Sequence, residues 1–283
     1  MQPQNNKYTL VIEPKRSLLD LNLKEVWQYR DLILLFVRRD LVARFKQTIL
    51  GPAWFLLGPL LSTLVYTLVF NRIAQISTDG APPMLFYLTG IVGWNYFAAC
   101  LNGTSSTFTA NASIFGKVYF PRLVTPISTV ISNLVQFFIQ MLLLFVVMLI
   151  FWQRGASFQL NLTALLIPVY LVILAAIGLG VGIIISSLTT KYRDLIQLMG
   201  FGVQLWMYAT PVIYPVSTVP EKYRFVVLLN PIAPIVENFK YGLLGSGSFN
   251  LTGLLYAAGF ALVFLFLGIV LFNRVEKTFM DTV

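Results

Sequence analysis

The stretch that decides the fold runs from Phe36 to Trp54 and reads FVRRDLVARFKQTILGPAW. Its first half is strongly basic, and its second half opens a segment from Leu50 to Phe70 that contains no Asp, Glu, Lys or Arg. An uncharged apolar stretch of about 20 residues is long enough to cross the hydrocarbon core of a bilayer. The sequence therefore predicts a basic helix that meets a transmembrane helix at Gly51-Pro52, where the chain can turn.

The composition of the whole chain agrees with a membrane protein. Of its 283 residues, 57% are hydrophobic and only 11% are charged, whereas about a quarter of the residues in a soluble domain are charged. The runs at 163–188 and 195–214 carry Pro168 and Pro211, which indicate kinks within these helices rather than helix ends. The runs predict an all-α integral membrane protein with six transmembrane helices, over residues 50–70, 84–101, 124–152, 163–188, 195–214 and 251–272.

The distribution of Lys and Arg predicts the orientation. With six crossings both termini share one side, and all but five of the 20 Lys and Arg residues lie on that side. Short loops rich in Lys and Arg stay in the cytoplasm, so both termini are expected to be cytoplasmic. The first 17 residues are polar and contain two prolines, so no cleavable signal peptide is expected. The net charge of +9 then reflects topology and attraction to lipid headgroups, and no nucleic-acid partner is expected. The five residues on the opposite side are Arg72, Arg154, Lys222, Arg224 and Lys240.

The segment 1–49 is expected to be a cytoplasmic extension, followed by a transmembrane domain over residues 50–283. Apolar residues between Leu23 and Ile49 recur about every 3.6 positions, which predicts an amphipathic helix. Such a helix lies flat in the inner membrane interface while its basic side chains reach the headgroups. A soluble amphipathic helix packed on another protein is the alternative. The basic candidates on this helix are Arg38, Arg39, Arg44 and Lys46.

Several kinds of chemistry are missing from the sequence. There is no His, and no Asp or Glu lies in the middle of a predicted span, so neither a proton relay nor a metal site is expected. The stretch GKVYF at 116–120 lacks the Ser or Thr and the upstream Gly of a phosphate-binding loop. A membrane-embedded glycan-modifying transferase would need an acid or His facing its active-site cavity. Catalytic residues and bound cofactors are therefore not expected in this chain, and if the chain moves a substrate, the energy must come from a partner.

The loop NASIFGKVYFPRLVTP, residues 111–126, joins the second and third predicted spans on the cytoplasmic side. Bulky apolar side chains in such a short loop need a protein surface or the membrane interface to cover them. The loop is therefore interpreted as a docking element for a partner subunit, and an interfacial turn that closes a helical hairpin is the alternative. The candidate coupling residues are Ile114, Phe115, Gly116, Lys117, Tyr119, Phe120, Pro121 and Arg122.

Three stretches carry a resemblance to a known family. These are RRDLVARFKQTILGPAWFLLGPLL at 38–61, IFGKVYFPRLVTPIS at 114–128 and TTKYRDL at 189–195. They resemble membrane subunits of type-2 ABC exporters that move lipid-linked polysaccharides, the O-antigen and teichoic-acid group.

The resemblance implies a homodimer of six-span subunits in the bacterial inner membrane. It implies two copies of a separate cytoplasmic ABC ATPase subunit that bind ATP and Mg, with Phe115 to Arg122 as the coupling helix. The chain itself is then a transport subunit for an O-antigen-like lipid-linked polysaccharide and not an enzyme. A small-lipid or drug exporter of the same architecture is the alternative, and the glycan-modifying transferase is a weaker one.

The outer segment 215–250 contains FVVLLNPIAPIVENF at 225–239, an apolar run broken by two prolines. It is too short to cross a bilayer, so it predicts a re-entrant or interfacial segment. The resemblance implies short outer helices here that help to close the exit. A surface amphipathic loop is the alternative.

Aromatic residues gather on the first, second and fifth predicted spans, which in the resembling family form most of the conduit. Sugar rings stack on aromatic planes, so these side chains predict a wall along which a polysaccharide slides. Trp and Tyr also gather at membrane interfaces as anchors, which is the alternative for each of them. The candidate conduit residues are Trp54, Tyr66, Tyr87, Trp94, Tyr96, Phe97, Trp206 and Tyr208.

Overall fold

The computed structural model describes residues 23–46, 48–192 and 194–278, and within these ranges it contains helices, turns and loops but no β-strand. The part of the predicted cytoplasmic extension before Leu23 and the residues after Thr278 lie outside the described residues. The α-helices are α1 (Leu23–Gln28), α2 (Arg30–Phe45), α3 (Trp54–Tyr66), α4 (Pro83–Ser105), α5 (Thr107–Phe115), α6 (Val124–Gln153), α7 (Ile167–Thr189), α8 (Leu195–Tyr208), α9 (Glu221–Leu228), α10 (Ala233–Leu244) and α11 (Leu251–Thr278).

Five helical segments among the described residues are long and apolar enough to cross a membrane. Each agrees with one predicted span to within a few residues, because a charge-free apolar run is a strong signal. The all-α membrane fold is confirmed. These segments are Gly51–Ile73, Pro83–Ser105, Val124–Gln153, Leu162–Thr189 and Leu251–Val275.

The remaining predicted span, the fifth along the chain over residues 195–214, is interrupted. Its helix α8 has 14 residues and ends at Tyr208, so it rises by about 21 Å. The hydrocarbon core is about 30 Å thick. Pro211 lies in the turn after α8. Pro168 lies in the first turn of α7, where a backbone N–H has no helical partner, so a residue without an N–H is tolerated. The prediction that Pro211 kinks a helix interior is therefore wrong, since it stands in the turn after α8. Pro168 stands inside the spanning segment Leu162–Thr189, where a 3₁₀ turn changes into α7.

Helix α4 is the centre of the bundle and contacts α3, α6, α7, α8 and α10. It is 78% buried, yet its mean hydropathy of 1.4 is the lowest of the five spanning segments. A lipid-facing helix must be apolar outside, whereas an enclosed helix can carry polar groups that bond to neighbouring helices. Asn95 donates to Gln140 Oε1 of α6 at 3.3 Å, and Thr104 Oγ1 donates to the Gly178 carbonyl of α7 at 3.1 Å. These bonds join α4 to both neighbours.

Helices α7 and α11 touch through glycines. A Cβ placed on Gly180 would lie 2.6 Å from the backbone nitrogen of Leu265, and a Cβ on Gly268 would lie 2.6 Å from the Gly180 carbonyl oxygen. Small residues permit such close backbone approach between membrane helices. The two helices therefore pack backbone against backbone at this point.

The N-terminal helix α2, the helix α5 and the C-terminal part of α11 meet at one end of the bundle, here called the basic end. Phe36 of α2 contacts Phe120 with ring centres 5.7 Å apart. Phe108 of α5 stacks on Phe272 of α11 at 4.4 Å. Helix α2, near the start of the described chain, and helix α11, at its end, therefore reach the same end of the bundle. Its exposed basic residues include Arg38, Arg39, Arg44, Lys46, Lys117, Lys191 and Arg274.

Helices α9 and α10 form a short hairpin at the opposite end of the bundle, here called the hairpin end. Asn238 of α10 donates to the Asn250 carbonyl at 3.1 Å and accepts from the Asn250 N–H at 2.8 Å, just before α11 begins. Asn161, which precedes α7, donates to the Tyr241 carbonyl at 2.9 Å. The hairpin is thus bonded to the segments that enter α7 and α11.

The chain between Leu195 and Ser217 leads from the basic end to the hairpin end. Just before it, Thr189 Oγ1 lies 3.5 Å from the Ser105 carbonyl at the C-terminal end of α4. At its far end, Ser217 Oγ donates to Asp79, with its two carboxylate oxygens at 2.8 and 2.9 Å. Because Asp79 precedes α4, the two contacts mark opposite ends of that helix.

Replacing Gly180 by Ala is expected to lower the melting temperature of the purified chain in detergent. The added methyl group would occupy the place of backbone atoms of α11, and such overpacking costs about 1–3 kcal/mol. Gly259→Ala is the matched control on α11, since a Cβ there meets no atom within 4 Å. Equal melting temperatures for the two variants, measured by thermal unfolding, would contradict the close contact.

Candidate functional site

The turn that follows α8 places non-helical backbone inside the protein. Residues 209–215 leave the helix, and Pro211 and Val212 among them are buried. Backbone that leaves a helix at membrane depth persists only where other groups satisfy its carbonyl oxygens and N–H groups. Two polar side chains of the hairpin, Asn230 and Lys240, bond to this turn.

Asn230 lies between α9 and α10 and uses both ends of its amide. Its Nδ2 donates to Thr210 Oγ1 at 2.8 Å and lies 3.4 Å from the Ala209 carbonyl oxygen. Its Oδ1 accepts from Trp206 Nε1 at 3.0 Å and from the Ile232 N–H at 3.1 Å. One side chain thereby caps the end of α8 and fixes the start of α10.

Lys240 of α10 is 1% exposed, which makes it one of the largest buried side chains. Its Nζ donates to the Pro211 carbonyl at 2.6 Å and to the Val212 carbonyl at 3.2 Å. The same nitrogen lies 3.5 Å from the centre of the Phe86 ring of α4, a favourable cation–π geometry. A Cβ at Gly90 would lie 3.2 Å from Lys240 Cε, so the glycine leaves room for the lysine stem.

Two carboxylates stand near the lysine. Glu237 lies about one turn earlier on α10, and its Oε1 accepts from the Val216 N–H at 3.4 Å. Burial lowers the pKa of Lys240 to about 7, and the negative charges of Glu237 and Asp79 oppose that shift. Burial likewise raises the pKa of Glu237, against the attraction of Lys240. Among the described residues, no group of three His, Cys, Asp or Glu could hold a metal ion. The charged group at the centre of this network is the Lys240 side chain, which donates to the carbonyls of the turn.

The structure divides the eight aromatic candidates for the conduit into two sets. Tyr87, Trp94, Tyr96 and Phe97 are buried among the chain's own helices. Rings buried in this way pack the core, so in this conformation they cannot touch a polysaccharide. Trp206 is half-buried, packs on Phe97 with ring centres 5.2 Å apart and bonds to Asn230. The rings that reach the surface are Trp54 and Tyr208, which are exposed, and Tyr66, which is half-buried.

The basic candidates of the predicted interface helix lie on α2 or directly after it, and all four are exposed. Arg44 Nη2 donates to Asn133 Oδ1 of α6 at 2.8 Å. Arg39 bonds to the neighbouring Asp40, with nitrogen to oxygen distances of 3.0 and 2.8 Å. Arg44 therefore joins α2 to the bundle, while Arg38 and Lys46 extend from its surface.

The candidate coupling loop differs in shape from the expectation. Helix α5 ends at Phe115, and residues 116–123 form a turn, so the expected coupling helix over Phe115 to Arg122 is wrong. Phe115 and Phe120 are 4% and 5% exposed, because α2 and α5 already cover them. Pro121 is also buried, whereas Ile114 and Arg122 are half-buried and Gly116 and Lys117 are exposed. Val118 and Tyr119, at 59% and 56% exposure, form the apolar tip.

Comparison with known proteins identifies the family. The sequence matches the family described as ABC-2 type transporter over residues 31–244. The chain belongs to the ABC-2 type transporter family. The match begins within α2 and ends with α10, so α3 to α10, including the hairpin, lie inside it, whereas α11 of this ABC-2 transporter chain follows it.

Individual relatives of the ABC-2 transporter chain agree over most of its length. The O-antigen export system permease protein RfbA of Klebsiella pneumoniae is 28% identical over 89% of this chain and 94% of that protein. RfbA of Myxococcus xanthus is 30% identical over 77% of this chain and 82% of that protein. The polysialic acid transport protein KpsM of Escherichia coli is 25% identical over 86% and 93%. The similarity therefore covers most of the chain and most of each relative.

Asn230 and Lys240 of the ABC-2 transporter chain were not found as site residues by sequence reasoning. Lys240 was counted only as one of the cations on the side opposite the termini. The available signal is a lysine three positions after a glutamate within the apolar run of α10. A charged side chain in such a run is costly without partners, so it indicates a specific internal site.

Replacing Asn230 by Ala is expected to destabilise the ABC-2 transporter chain, because the Trp206 N–H, the Ile232 N–H and Thr210 each lose a partner. A buried polar group left unsatisfied costs about 1–3 kcal/mol. Asn102→Ala is the matched control, because Asn102 is exposed on α4. Denaturation in detergent measures both variants, and an Asn230→Ala curve that coincides with the control would refute the capping role.

Proposed function

We propose that this chain is the transmembrane subunit of an ATP-driven exporter that moves an O-antigen-like, lipid-linked polysaccharide across the inner membrane of a bacterium. The observation that carries the proposal is the similarity, over most of the chain, to O-antigen export permeases and to a polysialic acid transport protein. These relatives share a polysaccharide cargo in their names, which favours a glycan over a drug or a small lipid.

The proposed topology has six crossings with both termini in the cytoplasm. The fifth of these crossings is α8 together with the turn after it, since Leu195 to Ser217 leads from one end of α4 to the other. The basic end then faces the cytoplasm, as expected from the concentration of Lys and Arg there. The hairpin end faces outward, and α2 lies in the inner interface.

The energy source proposed is a separate ABC ATPase, present in two copies, which binds ATP and Mg. The contact offered at the basic end is the turn from Gly116 to Tyr119. Val118 and Tyr119 give it an exposed apolar tip, and Lys117 adds a positive charge. Phe115 and Phe120 lie beneath the tip and pack against each other with ring centres 5.8 Å apart, so they support the docking turn from inside.

The proposed conduit lies between two copies of the chain. Helix α4 is enclosed by tightly packed neighbours, so the interior of one copy has no room for a hydrated glycan. The segment Gly51–Ile73 is only 11% buried, and it presents Trp54 and Tyr66 at or near the surface. A homodimer that brings this segment and α8 together would line a passage with Trp54, Tyr66 and Tyr208, whose rings suit sugar stacking.

Replacing Val118 and Tyr119 together by Ala is expected to weaken docking of the ATPase while the chain still inserts and folds. Loss of two apolar contacts of about 1.5–3 kcal/mol each would reduce association by about tenfold or more. Tyr223→Ala is the matched control, an exposed tyrosine at the hairpin end. The measurements are copurified ATPase, Mg-dependent ATP hydrolysis and glycan at the cell surface.

The same assay tests the function as a whole. Co-expression of the chain with its ATPase should place glycan at the surface, and omission of either subunit should abolish it. ATP hydrolysis by the isolated chain would refute the separate ATPase. Full copurification and export by Val118→Ala/Tyr119→Ala would refute the docking turn.

Cysteine labelling is expected to show the proposed topology. In a Cys100→Ala background, Lys117→Cys and Lys191→Cys should react with a membrane-impermeant thiol reagent only from the cytoplasm. Lys222→Cys should react only from outside. Labelling of Lys222→Cys and Lys191→Cys from the same side would mean that residues 195–217 do not cross the membrane.

A further inference from the structure

The side chain of Lys240 connects three segments that are distant in sequence. Its Nζ bonds to the carbonyls of Pro211 and Val212 in the turn after α8, its backbone belongs to α10, and its ammonium lies against Phe86 of α4. We propose that Lys240 is a positioning residue for transport, which makes the α8 crossing and the hairpin helix α10 move as one body. The proposal rests on the proposed function, because it concerns how movement reaches the outer end.

Packing alone does not account for a lysine at this place. Methionine would fill much of the same stem volume without the free-energy cost of burying an ammonium group. A lysine ammonium offers three N–H donors. Two of these donors reach the carbonyl oxygens of Pro211 and Val212, which lie in a turn and therefore have no helical N–H to bond to. This arrangement fixes both the position and the direction of the turn relative to α10.

The segment before the turn gives this contact a mechanical role. Helix α8 begins four residues after Lys191, which lies at the basic end, and it ends three residues before Pro211. If the ATPase displaces the N-terminal end of α8, the rigid helix transmits this displacement to the turn that directly follows it. Coupling between distant sites travels through such contiguous contacts between rigid elements.

The segment after the contact carries the movement onward. Glu237, on the same helix as Lys240, accepts from the Val216 N–H at 3.4 Å. Asn238 holds α10 to Asn250 at the start of α11. When the turn moves with α8, it therefore pulls or pushes α10 through Lys240 and Glu237. Asn238 keeps α10 bonded to the start of α11, so α10 rotates about that point.

The decisive experiment compares Lys240→Met with Lys240→Arg in the complete complex with its ATPase. Lys240→Met keeps the stem but removes the charge and the donors. It should accumulate and bind the ATPase as the native chain does, and it should hydrolyse ATP at a rate within about twofold of the native complex, while surface glycan falls by about tenfold or more. Lys240→Arg keeps a charged donor and should restore a large part of export. Lys222→Met, an exposed lysine on α9, is the matched control.

Loss of export with ATP hydrolysis retained is the signature of a positioning role, because a general folding defect would lower both. Normal export by Lys240→Met, or a failure of Lys240→Arg to restore any export, would overturn the proposal. If Lys240→Met fails to accumulate, the Gly90→Ala variant tests the proposal in its place. Its Cβ would lie 3.0 Å from the Val212 carbonyl oxygen and 3.2 Å from Lys240 Cε, so it should loosen the contact and reduce export, and unchanged export would overturn the proposal.

The native complex separates this inference from the proposed function. A native complex that hydrolyses ATP and exports no glycan refutes the proposed cargo. If the native complex exports glycan and the Lys240→Met complex exports it equally well, only the proposed role of the lysine is refuted.

Discussion

A carbonyl oxygen that leaves a helix within a bilayer has no water to bond to, so the protein itself must supply the donor. In this chain α8 stops at Tyr208, and the following turn is satisfied by Lys240 and Asn230 from the hairpin. Helix α8 ends at Tyr208, and the hairpin that folds over the following turn supplies donors to its carbonyl oxygens. Helix α4 is part of the same unit, since Phe86 faces the ammonium and Gly90 leaves space for its stem.

The same need for internal partners explains why the least apolar spanning helix is the central one. Asn95 and Thr104 of α4 would be costly against lipid, but each bonds to a neighbouring helix. Gly178 and Gly182 of α7 lie close against α4, and a Cβ on either would approach α4 atoms to within 3 Å. Polar groups and small residues thus concentrate on the enclosed helix, while the lipid-facing helices α6 and α11 keep higher hydropathy.

Hydropathy predicted the five long spans because each is a charge-free apolar run, a property local to the sequence. It overestimated the fifth predicted span, because residues 209–214 are mostly apolar but belong to a turn whose hydrogen-bond partners are Asn230 and Lys240. The burial of Phe115 and Phe120 could not be read from the loop itself, since the side chains that cover them include Phe36 of α2. The exposure of the aromatic candidates could not be predicted for the same reason. Trp54 and Tyr87 have similar apolar neighbours in the sequence, but Trp54 is exposed and Tyr87 is buried because their helices pack differently. The hydrogen bonds of Asn230 and Lys240 depend on tertiary contacts. A lysine within an apolar run is visible in the sequence, but the carbonyl groups that it binds are not.

The glycine contact between α7 and α11 has a consequence for movement. Where Gly180 and Gly268 bring two backbones together, no side chain lies between them that could change rotamer and let the helices slide. Rotation or translation of either helix would drive backbone into backbone, since a close-packed interior adjusts very little. The segment Gly51–Ile73 has the opposite character, with few neighbours in the chain and most of its surface open. The chain therefore combines a closely packed pair of helices, α7 and α11, with a segment, Gly51–Ile73, that its own helices leave largely uncovered.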